Sequence, residues 1–166
     1  MRIALCGKMG SGKSYIAKLF SEKYNCKIIS FAGRVKKLAN ELFDMKEKDR
    51  NLLQNLSQKI KEIDKNVWVN VVKKEINKYE NVVIDDLRFP NEYQMLRDLD
   101  FIVIRLNIDR DIRIDRLSGK YKNFKDHLQA MEHVSETLLE DFVYDFEVVS
   151  DQYAFEKIEK FMSNRD

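Results

Sequence analysis

Gly7-Lys8-Met9-Gly10-Ser11-Gly12-Lys13-Ser14 is the most informative stretch of this chain. It fits G-x-x-x-x-G-K-[ST], and its flanks have the right character. Arg2-Ile3-Ala4-Leu5-Cys6 before it is a short apolar segment with the make-up of a buried strand. After it, Tyr15-Ile16-Ala17-Lys18-Leu19-Phe20 places Ile16, Leu19 and Phe20 at helical spacing. A phosphate chain is bulky and multiply charged, so it needs many donors and no β-carbons in the way. Gly7, Gly10 and Gly12 let the backbone curl and turn successive N–H groups inward. The helix N-terminus adds the positive end of its dipole, Lys13 a mobile cation, and Ser14 a hydroxyl for Mg²⁺. Residues Gly7, Lys8, Met9, Gly10, Ser11, Gly12, Lys13 and Ser14 are therefore the expected ATP-binding set, with ATP and Mg²⁺ as the implied cofactors.

Working outward, the chain has 166 residues, enough for one domain with a sizeable core. At 44% hydrophobic, 35% charged and net +2, it lacks the bias of a general polyanion binder, so no nucleic-acid partner is expected. Cys6 and Cys26 fall on predicted strands and are expected as buried free thiols. No apolar run approaches membrane-span length, and a core strand at the start of the sequence, with no leader, is expected. A soluble, cytoplasmic protein with no membrane partner is expected. One proline and five glycines are poor material for a turn-rich all-β fold.

In chain order, a helix from the loop to Tyr24-Asn25 precedes a second strand, Lys27-Ile28-Ile29-Ser30-Phe31. Gly33 is expected to break that run. Val35, Leu38, Ala39, Leu42 and Phe43 then mark an amphipathic helix. Residues 46 to 50 form a charge-mixed connection. Helices follow from Leu52 to Ile63 and from Val67 to Tyr79. Asn81-Val82-Val83-Ile84-Asp85-Asp86 is the third strand, running into acid at its carboxyl end. Pro90 opens a helix carrying Met95, Leu96 and Leu99. Phe101 to Leu106 is the fourth strand, and the arginine-rich 110–116 follows. A helix to about Met131 and a short one capped by Ser135 lead to the fifth strand, Asp145 to Val149, and a closing helix. Alternating strands and helices imply an α/β fold in three layers: five mostly parallel strands with helices on both faces. Ligands in such folds sit beyond the carboxyl ends of the strands.

Each functional candidate falls at such an end. Asp86 is placed to hold Mg²⁺ through water or to meet the acceptor, while strand alternation turns Asp85 elsewhere. Arg88, two residues beyond Asp86, suits a bidentate grip on an acceptor phosphate; a surface ion pair with Glu92 is the alternative. Arg110, Arg113 and Arg116 share one helical face, and a closing element with such arginines would cover the transferring phosphate. The alternative there is a solvated face interleaved with Asp109, Asp111 and Asp115. The expected catalytic set is thus Lys13, Asp86, Arg88, Arg113 and Arg116, with Ser14 and Asp86 on the metal. The helices between the second and third strands offer Gln54 for a base edge and Trp68 or Phe43 for stacking, although a lone tryptophan on an amphipathic helix is more often core. His127 and His133 lack partners at metal-ligand spacing.

Along nearly its whole length the sequence resembles the deoxynucleoside monophosphate kinases of bacteriophages and large DNA viruses. The loop and its strand match. So do Phe31-Ala32-Gly33-Arg34-Val35-Lys36, Arg50-Asn51-Leu52-Leu53-Gln54, Val67-Trp68-Val69, and His133-Val134-Ser135-Glu136. Asp86-Leu87-Arg88-Phe89-Pro90-Asn91-Glu92 is the most specific block. The resemblance implies ATP-dependent phosphorylation of a deoxynucleoside monophosphate on a nucleoside-monophosphate-kinase-like fold, with Arg88 near the acceptor phosphate. Its acceptor-facing segments contain Arg34, Lys37, Gln54, Trp68, Asp86, Arg88 and Glu136. It also implies a single domain, 1–166, with an acceptor-binding helical insertion over about 33–79 and an arginine-bearing lid over about 110–131. Gly33 and Arg34 stand where the family pattern has Asp-Pro, and Val134 where it has proline. These departures bear on the substrate range rather than on the reaction.

Phosphomevalonate kinase shares such a loop and a similar second segment, so a kinase of small phosphorylated metabolites is the runner-up. A non-kinase P-loop NTPase, as switch or motor, is disfavoured by the short chain and the lack of Asn-Lys-x-Asp. Small-molecule nucleotides are the expected partners, and a homodimer is left open.

Overall fold

The computed structural model describes residues 1–47, 49–119 and 138–165. Period-two alternation sets how the sheet is covered. β1 (Arg2–Cys6) sends Ala4 and Cys6 to one face and Ile3 and Leu5 to the other, all fully buried. β3 (Val82–Ile84) splits Val82 and Ile84 from Val83, and β4 (Ile102–Asn107) splits Val103 from Ile104 and Leu106. β2 (Lys27–Ile29) and β5 (Phe146–Val149) are the edges. The order is β2-β3-β1-β4-β5, and every pairing is parallel. The expected five-stranded sheet is thus present, and its described strands are parallel throughout. Such strands must be apolar on both sides because helices cover both.

On one face lie α1 (Lys13–Tyr24) and α7 (Ala154–Ser163), contributing Ile16, Ala17, Phe20, Ala154 and Ile158. On the other lie α4 (Val67–Ile76) and α5 (Pro90–Asp98), contributing Val72, Ile76, Met95 and Leu96. Fully burying one such side chain is worth ~1.5–3 kcal/mol, so the two apolar layers supply the main drive to this arrangement. α2 (Phe31–Phe43) and α3 (Arg50–Ile63) complete the helices between β2 and β3. α6 (Arg110–Ser118) follows β4, and Leu138–Asp141 forms a single 3-10 turn.

Two local expectations are corrected. β2 stops at Ile29, and Ser30 is the N-cap of α2, its hydroxyl accepting from the Gly33 amide at 2.9 Å. Gly33 therefore lies in the first turn of a helix rather than breaking a strand; the cap overrides its low helix propensity. β3 ends at Ile84, so Asp85 and Asp86 both lie past the strand and alternation no longer governs them. β1 lies between β3 and β4, so the loop after it opens at the switch point of the sheet. No described helix is long and apolar enough to cross a membrane.

Candidate active site

The loop after β1 is shaped by glycine where nothing else fits. Gly7 has φ 144°, and a β-carbon there would lie 2.6 Å from the Leu106 carbonyl oxygen. Gly12 has φ 82° and starts α1 from the left-handed region. Lys13, the first residue of α1, is buried, and its ammonium donates to the Lys8 carbonyl at 3.1 Å and to the Gly7 carbonyl. Lys8 reaches Glu140 at 3.5 Å, and Arg105 holds the same carboxylate at 2.7 Å. Beside the loop a cavity of about 360 Å³ opens between Lys8, residues 105 to 109 and Val149.

The outer side of the loop is gripped by α6 and by the end of β5. Arg113 is buried, and its Nε donates to the Met9 carbonyl at 2.9 Å. Arg116 reaches the Gly10 carbonyl at 3.4 Å, the Ser150 hydroxyl at 3.2 Å and the Ser150 carbonyl at 3.0 Å. The Ser150 hydroxyl in turn donates to the Ser11 carbonyl at 2.8 Å. Arg113 and Arg116 were expected over the transferring phosphate. The structure instead sets both against backbone carbonyls, because three-residue spacing on one turn of α6 aligns them along the loop. Arg110, at the start of α6, is exposed. Sequence reasoning missed Ser150; its one signal is its position directly after β5.

The two adjacent acids turn in directions opposite to those expected from strand alternation. Ser14 donates to the Asp85 carboxylate at 2.7 Å. Asp86 turns to α2, accepting from the Phe31 amide at 3.0 Å and the Ala32 amide at 2.9 Å. Asp85, not Asp86, therefore completes the pair with Ser14, since the first unpaired amides of α2 attract the second carboxylate. Burial pushes the Asp86 carboxyl up to about 6, with the two amides and Arg88 opposing and the Asp85 charge adding. Ser14 and Asp85 are hard oxygen donors on neighbouring elements. Mg²⁺ is commonly held by one or two such groups together with substrate phosphates, so this set fits it. Among the described residues no cluster of three or more His, Cys, Asp or Glu could form a metal cage.

Arg88 is half-buried just past Asp86. Its backbone amide, with that of Phe89, donates to buried Glu92 at 2.9 and 3.1 Å. Glu92 thus caps α5. Burial drives its carboxyl to about 7, against the two amides and Lys61, with Asp86 adding. Of the other acceptor-side candidates, Arg34 pairs with Glu75 of α4. Lys37 lies on the exposed face of α2, 3.9 Å from Glu41. Gln54 is exposed on α3. Trp68 of α4 is buried with its indole N–H 3.4 Å from the Ser57 carbonyl of α3, the core placement expected of a lone tryptophan on an amphipathic helix. Phe43 is exposed at the end of α2. Glu136, both histidines, Ser135 and the helix expected up to Met131 lie outside the described residues.

The model of an AAA domain family matches residues 3–150, and the chain belongs to that family. No curated protein gives a significant match. Among solved structures the chain is similar to shikimate kinase from Aquifex aeolicus, with a TM-score of 0.60, 18% identity, and 99% and 98% of the two chains covered. Shikimate kinase from Acinetobacter baumannii in complex with shikimate gives 0.63, 14%, and 99% and 94%. A gluconokinase from Sinorhizobium meliloti gives 0.60, 16%, and 98% and 89%. At these identities the likeness is one of fold, and it agrees with the α/β P-loop architecture above.

Proposed function

We propose that the chain is a phosphotransferase that moves the γ-phosphoryl group of ATP to a deoxynucleoside monophosphate. The observation that carries the reading is the contact of Ser14 with Asp85 at the end of a glycine-shaped loop that also holds Lys13. Loop amides and the start of α1 receive the donor phosphates, and Lys13 leaves its carbonyl partners to follow the migrating group. Ser14 and Asp85 are the residues that would hold Mg²⁺, which would supply neutralisation of charge on the donor phosphates. Arg88, at the carboxyl end of β3, grips the acceptor's phosphate in bidentate fashion. Residues 33–79 form the acceptor-side layer, with Gln54 free to reach a base edge. α6, whose arginines grip the loop, is the described part of the lid proposed over about 110–131. Arg88 within the Asp-x-Arg-Phe-Pro-Asn-Glu block supports a phosphate-bearing acceptor.

A second reading, a kinase of a small hydroxylated metabolite, is favoured by structural neighbours named for shikimate and gluconate chemistry. A coupled ADP-release assay across all common deoxynucleoside monophosphates, phosphomevalonate, shikimate and gluconate separates them. Transfer to at least one deoxynucleoside monophosphate alone is expected. Transfer only to a non-nucleotide overturns the acceptor, and hydrolysis insensitive to every acceptor overturns the transferase.

A further inference from the structure

We propose that Arg113 is a positioning residue that aims the loop's amides at the donor phosphates by holding a carbonyl, without touching the phosphates itself. The proposal rests on the phosphotransferase reading above. Its basis is the geometry of the trans peptide, in which the C=O of one residue and the N–H of the next point in opposite directions across one rigid plane. Arg113 Nε draws the Met9 carbonyl toward α6 at 2.9 Å. The amide of Gly10 is thereby turned the opposite way, toward the concave side of the loop. Ser150 repeats the device two residues on: its hydroxyl draws the Ser11 carbonyl outward at 2.8 Å, which turns the Gly12 amide inward. Arg116 joins the two by bonding both the Gly10 carbonyl and Ser150.

The glycines make such bracing necessary. Gly10 has φ 88° and Gly12 φ 82°, and residues without a β-carbon rotate freely unless something holds them. Leu117 supplies part of the support, lying 3.3 Å from where a Gly10 β-carbon would stand. Arg113 supplies a directed, charge-assisted bond from a buried site, where its rotamer is fixed by packing. An arginine that clamped the transferring group would have to be exposed toward the cleft; this one is sealed beneath the loop.

The test is calorimetric binding of Mg-ATP and of adenosine to the full chain, with turnover measured alongside. Arg113→Met keeps an unbranched side chain and removes the donor. It should weaken ATP binding about tenfold or more, as loss of a charge-assisted bond does, and leave adenosine binding unchanged. Arg113→Lys should recover part of the loss. Ser150→Ala acts from a different element and should show the same selective loss of ATP affinity; it carries the test alone if Arg113→Met does not fold. Wild-type ATP affinity in both Arg113→Met and Ser150→Ala, with only turnover reduced, would overturn the proposal, as would equal losses for ATP and adenosine. A wild-type chain that does not bind ATP overturns the functional reading as well, so the two failures are told apart by the parent protein.

Discussion

Ser14 in the first turn of α1 and Asp85 just past β3 meet at 2.7 Å, and Lys13 is held by the same loop that surrounds it. Across β3 the side chains on or facing α2 to α4 behave differently. Arg34 is taken by Glu75, Trp68 is packed under α3, and Asp86 is spent on the first amides of α2. On the loop side, polar groups converge on one small volume because backbone geometry gathers them. On the helical side the helices must first be fastened to the sheet, and polar residues do the fastening. A residue type that looks like a ligand is a better guide in the first region than in the second.

The sharpest way to break this contrast is Lys13→Ala, which should lower turnover about 10²–10³-fold or more with the fold retained, the range seen when one donor to developing charge is lost. Near-normal turnover in a folded Lys13→Ala protein would remove the loop from the chemistry. Next come the paired acids. Asp85→Asn should strongly reduce Mg²⁺-dependent turnover, whereas Asp86→Asn should chiefly lower thermal stability, by ~1–3 kcal/mol, as a half-buried acceptor of two amides is weakened. The reverse pattern would restore the strand-alternation argument. Arg88→Ala should raise the acceptor's KM by the equivalent of ~1.5–3 kcal/mol while ATP affinity stays constant, and Arg88→Lys should fall between. A change in ATP affinity alone would put Arg88 on the donor side.

The smallest effect concerns pH. Glu92 and Asp86 have carboxyls raised to about 7 and about 6, so between the usual carboxylate range and those values the folded chain holds protons that the unfolded chain has released. Their contribution to stability is therefore present at low pH and lost as pH rises through about 6 and then about 7. Thermal melts should show a lower Tm at pH 8 than at pH 5.5, and Glu92→Gln should flatten that difference. An undiminished slope in Glu92→Gln would show that Glu92 is not its source.

How far the sequence could be read follows from the range of the forces involved. The loop, the strand before it, the helix after it and the α/β alternation were all legible. They depend on contiguous residues: glycines where φ is positive, apolar side chains at a period of two or 3.6, and Pro90 opening α5. Glu92 was read as a possible ion-pair partner of Arg88, but it accepts two backbone amides instead. Ser150 gave almost no signal, since a serine after a strand becomes a loop brace only when Ser11 is brought within 2.8 Å from 139 positions away.

The chain's own order of residues thus determined the loop, the parallel layers and the presence of acid and arginine at the carboxyl ends of the strands. Tertiary structure alone decided which acid meets Ser14, which arginines grip carbonyls, and which aromatic is core. The physical reason is that each partner comes from another element, and for the two acids also that β3 is short. One residue past Ile84 the periodic backbone ends, and from there each side chain goes to whichever unpaired amide, carbonyl or hydroxyl the folded sheet has carried within hydrogen-bonding distance.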